Sequence, residues 1–111
     1  GALRTGGWLR AADGSVPQSI RDMARLRAAF LLVDHGSYAD VAQRAEPLSA
    51  DSNELRHSAR EALGLAAWKA GDATDALALF EQIAADQQAP AGLRQRAQVM
   101  SELIAGSGEA S

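Results

Sequence analysis

The sequence predicts an all-α fold, a stack of antiparallel helix pairs, and three observations carry that prediction. Alanine dominates the apolar residues while β-branched and aromatic residues are sparse; one eight-residue pattern occurs three times; glycines recur at a fixed spacing between apolar-periodic segments. Alanine is the strongest helix former and allows helices to approach closely, whereas strands favour β-branched and aromatic residues. An internal period of a few tens of residues is the signature of repeated supersecondary units that bury their apolar faces against one another.

The repeated pattern is Pro/Ser, two variable residues, Ile/Leu-Arg, two more, then Ala. It is found at Pro17–Ala24, Ser52–Ala59 and Pro90–Ala97, beginning 35 and then 38 residues apart. Ala11-Ala12-Asp13 stands four residues before Pro17, as Ala84-Ala85-Asp86 stands before Pro90, and Ala50-Asp51 before Ser52 is a contracted version. Gly36, Gly71 and Gly106 are spaced by 35 residues.

From these markers the elements follow in order. A first helix over 2–12 reads as the last helix of an incomplete preceding repeat, covering residues 1–13. Pro17 suits a helix start, where its missing N–H leaves no internal bond unmade, and opens a helix over 17–35. Ile20, Ala24 and Leu31 give that helix its apolar periodicity. Gly36 is expected to end it in the left-handed conformation that glycine enters without a side-chain clash, with His35 interacting with the last carbonyls. A helix over 37–46 is stopped early by Pro47, which closes the first hairpin at 17–47. The second hairpin, 52–87, contains helices over 53–70 and 72–87 with Gly71 between them. A closing helix over 90–105 carries Leu93, Ala97, Met100 and Ile104 at helical spacing, and 106–111 read as a flexible tail. This gives about six helices, the terminal part of a longer solenoid, since Gly1 begins without an initiator Met.

Composition excludes several functions. The 111 residues, 47 % hydrophobic, suffice for one modest core. A net charge of −3, with ten arginines scattered among acids, argues against nucleic acid or an anionic membrane as partner, which need clustered positive charge. Cysteine is absent, so no disulfide, thiolate metal site or Cys nucleophile is available. The longest apolar stretch, Ala28–Val33, is far short of the roughly 20 residues that span a bilayer. No Ser/His/Asp nucleophile motif or phosphate-binding glycine loop is present, His35 and His57 cannot complete a metal site, and no cofactor is expected. The chain therefore reads as a non-enzyme.

Leu63-Gly64, Gly71 and then Ala76-Leu77-Ala78-Leu79-Phe80 resemble the tetratricopeptide signature of Leu-Gly followed by Ala-x3-Phe and a distal Pro, here Pro90. Tyr38 follows Gly36 as an aromatic does in that repeat. Over nearly the whole chain, Arg25–Leu32, Glu61–Asp72 and Ala89–Ala97 are similar to the bacterial tetratricopeptide-like family that includes YfgM, the ancillary subunit of the SecYEG translocon. That resemblance implies an inner-membrane protein anchored by an N-terminal helix, with its repeats in the periplasm beside the translocon and chaperones. It implies a protein partner, a translocon-associated chaperone or client segment, and no membrane contact by the repeats themselves.

In such repeats the first helix of each hairpin lines a concave groove. The groove candidates by spacing are Met23, Leu26, Phe30 and Val33 on the first copy, and Glu61, Leu65, Trp68 and Lys69 on the second. Trp68 either anchors a partner or packs between hairpins, the commoner fate of tryptophan. Phe80 is read as core. His57 is expected on a solvated helix face, and Asp22, Glu54, Glu61 and Glu81 as exposed helix charge, with Asp22 reaching Arg25. The recurring Arg21, Arg56 and Arg94 either face acidic partner groups or, more in keeping with their tie to the repeat, pair with local carboxylates or carbonyls. The alternative function is a self-assembly scaffold, a homo-oligomer using the same surface.

Overall fold

A computed structural model describes residues 16–108, so the helix expected over 2–12 lies outside the described residues. Among them the chain is all-helical: α1 (Gln18–His35), α2 (Tyr38–Ala45), a 3-10 turn (Glu46–Leu48), α3 (Arg56–Lys69), α4 (Ala73–Ala85) and α5 (Ala91–Gly106). Each helix packs on its neighbour in sequence, and α3 also touches α1 and α5.

Pro17 and Pro90 cap α1 and α5 from just outside, not from within the first turn. Both hold nearly the same extended conformation, φ −52° and ψ 145° against φ −55° and ψ 142°. Their carbonyls accept the first helical N–H groups, Ile20 and Arg21 in one case and Arg94 in the other. The missing proline N–H is as harmless there as one residue later.

The two hairpin glycines solve different problems. Gly71, at φ +85°, lies in the left-handed region and completes a Schellman ending: the Asp72 N–H reaches the Ala67 carbonyl at 2.9 Å and the Gly71 N–H reaches that of Trp68 at 3.1 Å. Gly36 is extended, at φ −121° and ψ −174°, which overturns the left-handed expectation. It is a matter of space, because a Cβ there would sit 2.9 Å from both Asp40 Oδ2 and Leu32 Cδ2. Asp40 is held close by a capping box. Its carboxylate accepts the Ser37 N–H at 3.0 Å while Ser37 Oγ accepts the Asp40 N–H at 3.2 Å.

Pro47 falls inside the 3-10 turn that follows α2, which seats Leu48 in the core at 1 % exposure. α3 begins at Arg56, later than expected. Asn53 makes its own turn first, its side chain accepting the Leu55 N–H at 2.8 Å and its carbonyl the Arg56 N–H at 3.2 Å. At the other end Gly106 remains helical and Gly108, at φ +81°, takes the left-handed turn, so the proposed tail boundary at 106 is too early.

The core divides into two clusters that meet at α3. Leu26, Ala29, Val41, Ala45 and Leu48 pack on Ala59, Ala62, Leu63 and Ala66, and Ala67 belongs with Ala76, Phe80, Ile83, Leu93, Ala97 and Ile104. Alanines make up much of both, so the helix backbones approach closely. Phe80 is 1 % exposed and lies against Gly64, where a Cβ would come within 2.9 Å of its ring.

Candidate functional site

Burial of α3 on almost every side leaves one stripe of it half accessible: Ser58, Glu61, Leu65 and Trp68. These residues are three or four apart and share a helix face. On one side of the stripe Glu61 is joined to α5 by Arg96, whose Nε stands 3.2 Å from Glu61 Oε2. The carboxylate raises the Arg96 pKa, by hydrogen bonding first and by charge second. Met100, one turn beyond Arg96, packs with Leu65 and Trp68 against the second core cluster. An open recess of about 380 Å³ lies over Gln95, Arg96, Val99 and Met100.

On the other side, α1 presents its candidates unevenly. Met23 is exposed, Phe30 and Val33 are half-buried against the first cluster, and Leu26 is buried within it. Leu26 packs into the first cluster at 8 % exposure, and with Phe30 it lines the floor of a recess of about 370 Å³ on α1. Lys69 is exposed but occupied: its Nζ donates to the Val33 carbonyl at 3.1 Å and the Asp34 carbonyl at 2.9 Å. It caps the C-terminus of α1 from the C-terminus of α3. Those carbonyls thus go to Lys69, while His35 stands exposed beside them. A recess of about 300 Å³ lies next to this joint, lined by Val33, Gly36, Ser37, Tyr38, Ala66, Lys69 and Ala70.

The residues that give α1 its apolar periodicity, Ile20, Ala24 and Leu31, face solvent, Leu31 at 67 % exposure. The large exposed hydrophobics, Ile20, Met23, Leu31, Val99 and Leu103, all lie on α1 or α5, the two ends of the described stack. His57 departs from the sequence reading. It is 6 % exposed, with its Nδ1 3.5 Å from Asp86 Oδ2, and not on a solvated face.

His57 belongs to a polar node joining the start of α3 to the loops on either side. Arg60, 5 % exposed, donates from Nη2 to the Ser49 carbonyl and to Asp51 Oδ1, both at 2.8 Å, and its Nη1 stands 3.8 Å from Asp86 Oδ2. Arg56 donates to the Asn53 carbonyl and to Gln88, with Asp86 at 4.0 Å. Asp86 also accepts the Gln88 N–H at 2.9 Å. That hydrogen bond, with the charges of His57, Arg56 and Arg60, holds the Asp86 carboxyl below the usual carboxylate range against partial desolvation. Burial pushes the His57 imidazole below its ordinary value, Arg56 and Arg60 act in the same direction, and Asp86 opposes them.

The recurring arginines differ in their pairing. Arg56 meets a carbonyl and a carboxylate, Arg21 donates to the side chain of Gln18, and Arg94 keeps its buried Nε without a partner. Asp22 stands 3.9 Å from Arg25. Sequence reasoning missed Arg96, Met100 and Arg60. Arg96 lies 35 residues beyond Glu61, the repeat spacing itself, and that was the available signal.

Among the described residues no group of His, Asp and Glu side chains is placed to hold a metal ion, and no helix is long and apolar enough to cross a membrane. Comparison with family models, curated proteins and solved structures gives no match.

Proposed function

We propose that the chain is a protein-interaction module of the tetratricopeptide-like kind, whose partner lies along α3 between α1 and α5. The observation that carries this reading is the accessible stripe of α3, with the half-buried Leu65 and Trp68 beside a charged Glu61–Arg96 pair. Trp68 and Arg96 are of residue types enriched at protein interfaces, and here the tryptophan supplies an apolar anchor beside a polar group that can orient a partner. The partner needs no chemistry done on it, and the role is binding without catalysis or cofactor. The resemblance to the translocon accessory family makes the partner a translocon-associated chaperone or a client segment, met on the periplasmic face of the bacterial inner membrane.

Site-specific crosslinking tests this reading. A photoreactive side chain at Leu65 in cells is expected to capture a translocon subunit or periplasmic chaperone, identified by mass spectrometry. Capture of no envelope protein overturns it.

A second reading, self-assembly, is favoured by the confinement of the large exposed hydrophobics, among the described residues, to α1 and α5. Apolar surfaces at both ends of a stack suit head-to-tail association. Light scattering across a hundredfold concentration range separates the two: a constant monomer mass excludes assembly.

A further inference from the structure

We propose that the apolar stripe on the outer side of α1 is the seat of residues 2–12, which pack on it as α4 packs on α5. The repeat supplies the correspondence. Pro17 and Pro90 stand 73 residues apart, each just before its helix, so Ile20, Ala24, Ala28 and Leu31 occupy the positions of Leu93, Ala97, Ser101 and Ile104. In α5 these four are buried, at 5 %, 1 %, 8 % and 0 % exposure, and α4 is the helix chiefly packed against α5. On α1 the same face stands open, with Ile20 at 52 %. α1 thus carries the contact surface of a helix that follows another, without that neighbour among the described residues.

The chain supplies an occupant at the matching place. Ala11-Ala12-Asp13 precedes Pro17 by the interval at which Ala84-Ala85-Asp86 precedes Pro90, and Ala84-Ala85 ends α4. The same offset sets Trp8 at the position of Glu81. Glu81, Ala84 and Ala85 meet Gln98 and Ser101 of α5 around one recess of about 220 Å³. Their counterparts are Trp8, Ala11 and Ala12 on one side, and Arg25 and Ala28 on the other. The seat therefore brings the Trp8 indole over the small side chain of Ala28, and burial of the indole with Ile20 and Leu31 drives the contact.

The other end of the stack offers no such seat. Where α1 and α3 take the helix that follows each, the corresponding positions are Ala29, at 0 % exposure, and Gly64, under the Phe80 ring. In α5 that position is Glu102, exposed and bonded to Gln98 at 3.1 Å. A second copy joining its α5 to α1 would have to bury that charge. Residues 2–12 carry no such cost and are tethered beside the seat at high effective concentration. The seat is independent of whether the α3 stripe binds a partner.

Thiol protection in the full chain tests the seat, since the chain contains no cysteine of its own. Ala28→Cys puts a sulfur where α5 carries the near-isosteric Ser101, and Met23→Cys puts one outside the stripe, at a residue 47 % exposed. The Ala28→Cys thiol is expected to react with a water-soluble disulfide reagent at least about tenfold faster once Trp8→Asp is added, as for a site otherwise open a tenth of the time or less. Met23→Cys is expected to keep its rate through the same change. No acceleration at position 28, or an equal one at position 23 with the circular dichroism unchanged, overturns the proposal. Protection that falls on dilution gives the seat to a second copy and overturns it too. Should Trp8→Asp unfold the chain, iodide quenching of Trp8 in Trp68→Phe decides: shielding supports the seat, and quenching equal to that of free tryptophan overturns it.

Discussion

The ring of Phe80 occupies the place where a side chain on Gly64 would begin, with 2.9 Å from its Cζ to a Cβ built on that glycine. The glycine of the Leu63-Gly64 pair and the aromatic of Ala76-x3-Phe80 are thus two sides of one contact between α3 and α4. Gly64→Ala gains about 1 kcal/mol of helix propensity but must displace a ring buried on all sides, at roughly 1–3 kcal/mol. The expected outcome is a net loss of stability. Phe80→Ala is expected to lose more, about 3–5 kcal/mol, through the cavity it leaves. Urea denaturation of the two variants measures both.

Gly36 and Gly71 are expected to respond unequally to asparagine. Gly71→Asn carries backbone strain at φ +85°, kept small because asparagine enters the left-handed region more easily than other residues and nothing lies within 4 Å of the added Cβ. Gly36→Asn has no conformational difficulty, yet its Cβ collides with Leu32 and Asp40 and disturbs the cap of α2. Thermal melts of the pair check this, and a larger loss at Gly71 would contradict it.

Lys69→Met keeps an aliphatic chain of similar length and removes only the ammonium. The carbonyls of Val33 and Asp34 return to water, at a cost of about 1 kcal/mol because the site is exposed. Amide exchange in the last turn of α1 is expected to rise before any global change is seen.

Glu61 and Arg96 are expected to contribute little to folding. The Arg96 side chain is 63 % exposed, so a double-mutant cycle with Glu61→Gln and Arg96→Gln should give a coupling below about 1 kcal/mol in chemical denaturation. A larger coupling would make the pair a structural tie and weaken its assignment to a binding surface.

Asp40 sets an acid dependence at the first hairpin. The Ser37 backbone N–H, then its hydroxyl, hold the carboxyl below the usual range. The stabilisation is therefore complete above the unfolded pKa of about 3.9 and is lost as pH falls through the lower folded value. In Asp40→Asn the part of the acid-side decline in stability below about pH 4 that comes from this carboxyl is expected to vanish, which circular dichroism melts at pH 7 and pH 3 would read.

The helices were legible because proline, glycine and the apolar period all act locally. The start and end of α1 follow from Pro17 and Gly36, and Pro47 ends α2. Which face of a helix is covered was less legible. α1 carries two offset apolar stripes, one through Ile20 and Leu31 and one through Leu26 and Ala29, and periodicity detects both without saying which meets a neighbour. His57 illustrates the same difficulty for polar groups. Its burial depends on Asp86, 29 residues away, and on two arginines whose partners lie in loops, so nothing adjacent to it in sequence announces the node. At Gly36 the residue was right and the reason wrong, since glycine at a helix end serves either a positive φ or a lack of room.

Because α3 supplies walls to both core clusters, with Ala59, Ala62, Leu63 and Ala66 on one side and Ala67 on the other, neither hairpin can lose its core without stripping the same helix. Under mechanical load applied at residues 16 and 108, the two halves should therefore yield together in one force peak and not in two successive rips. A pulled chain would resist as a single element, its strength set by the helix that lies farthest from either handle.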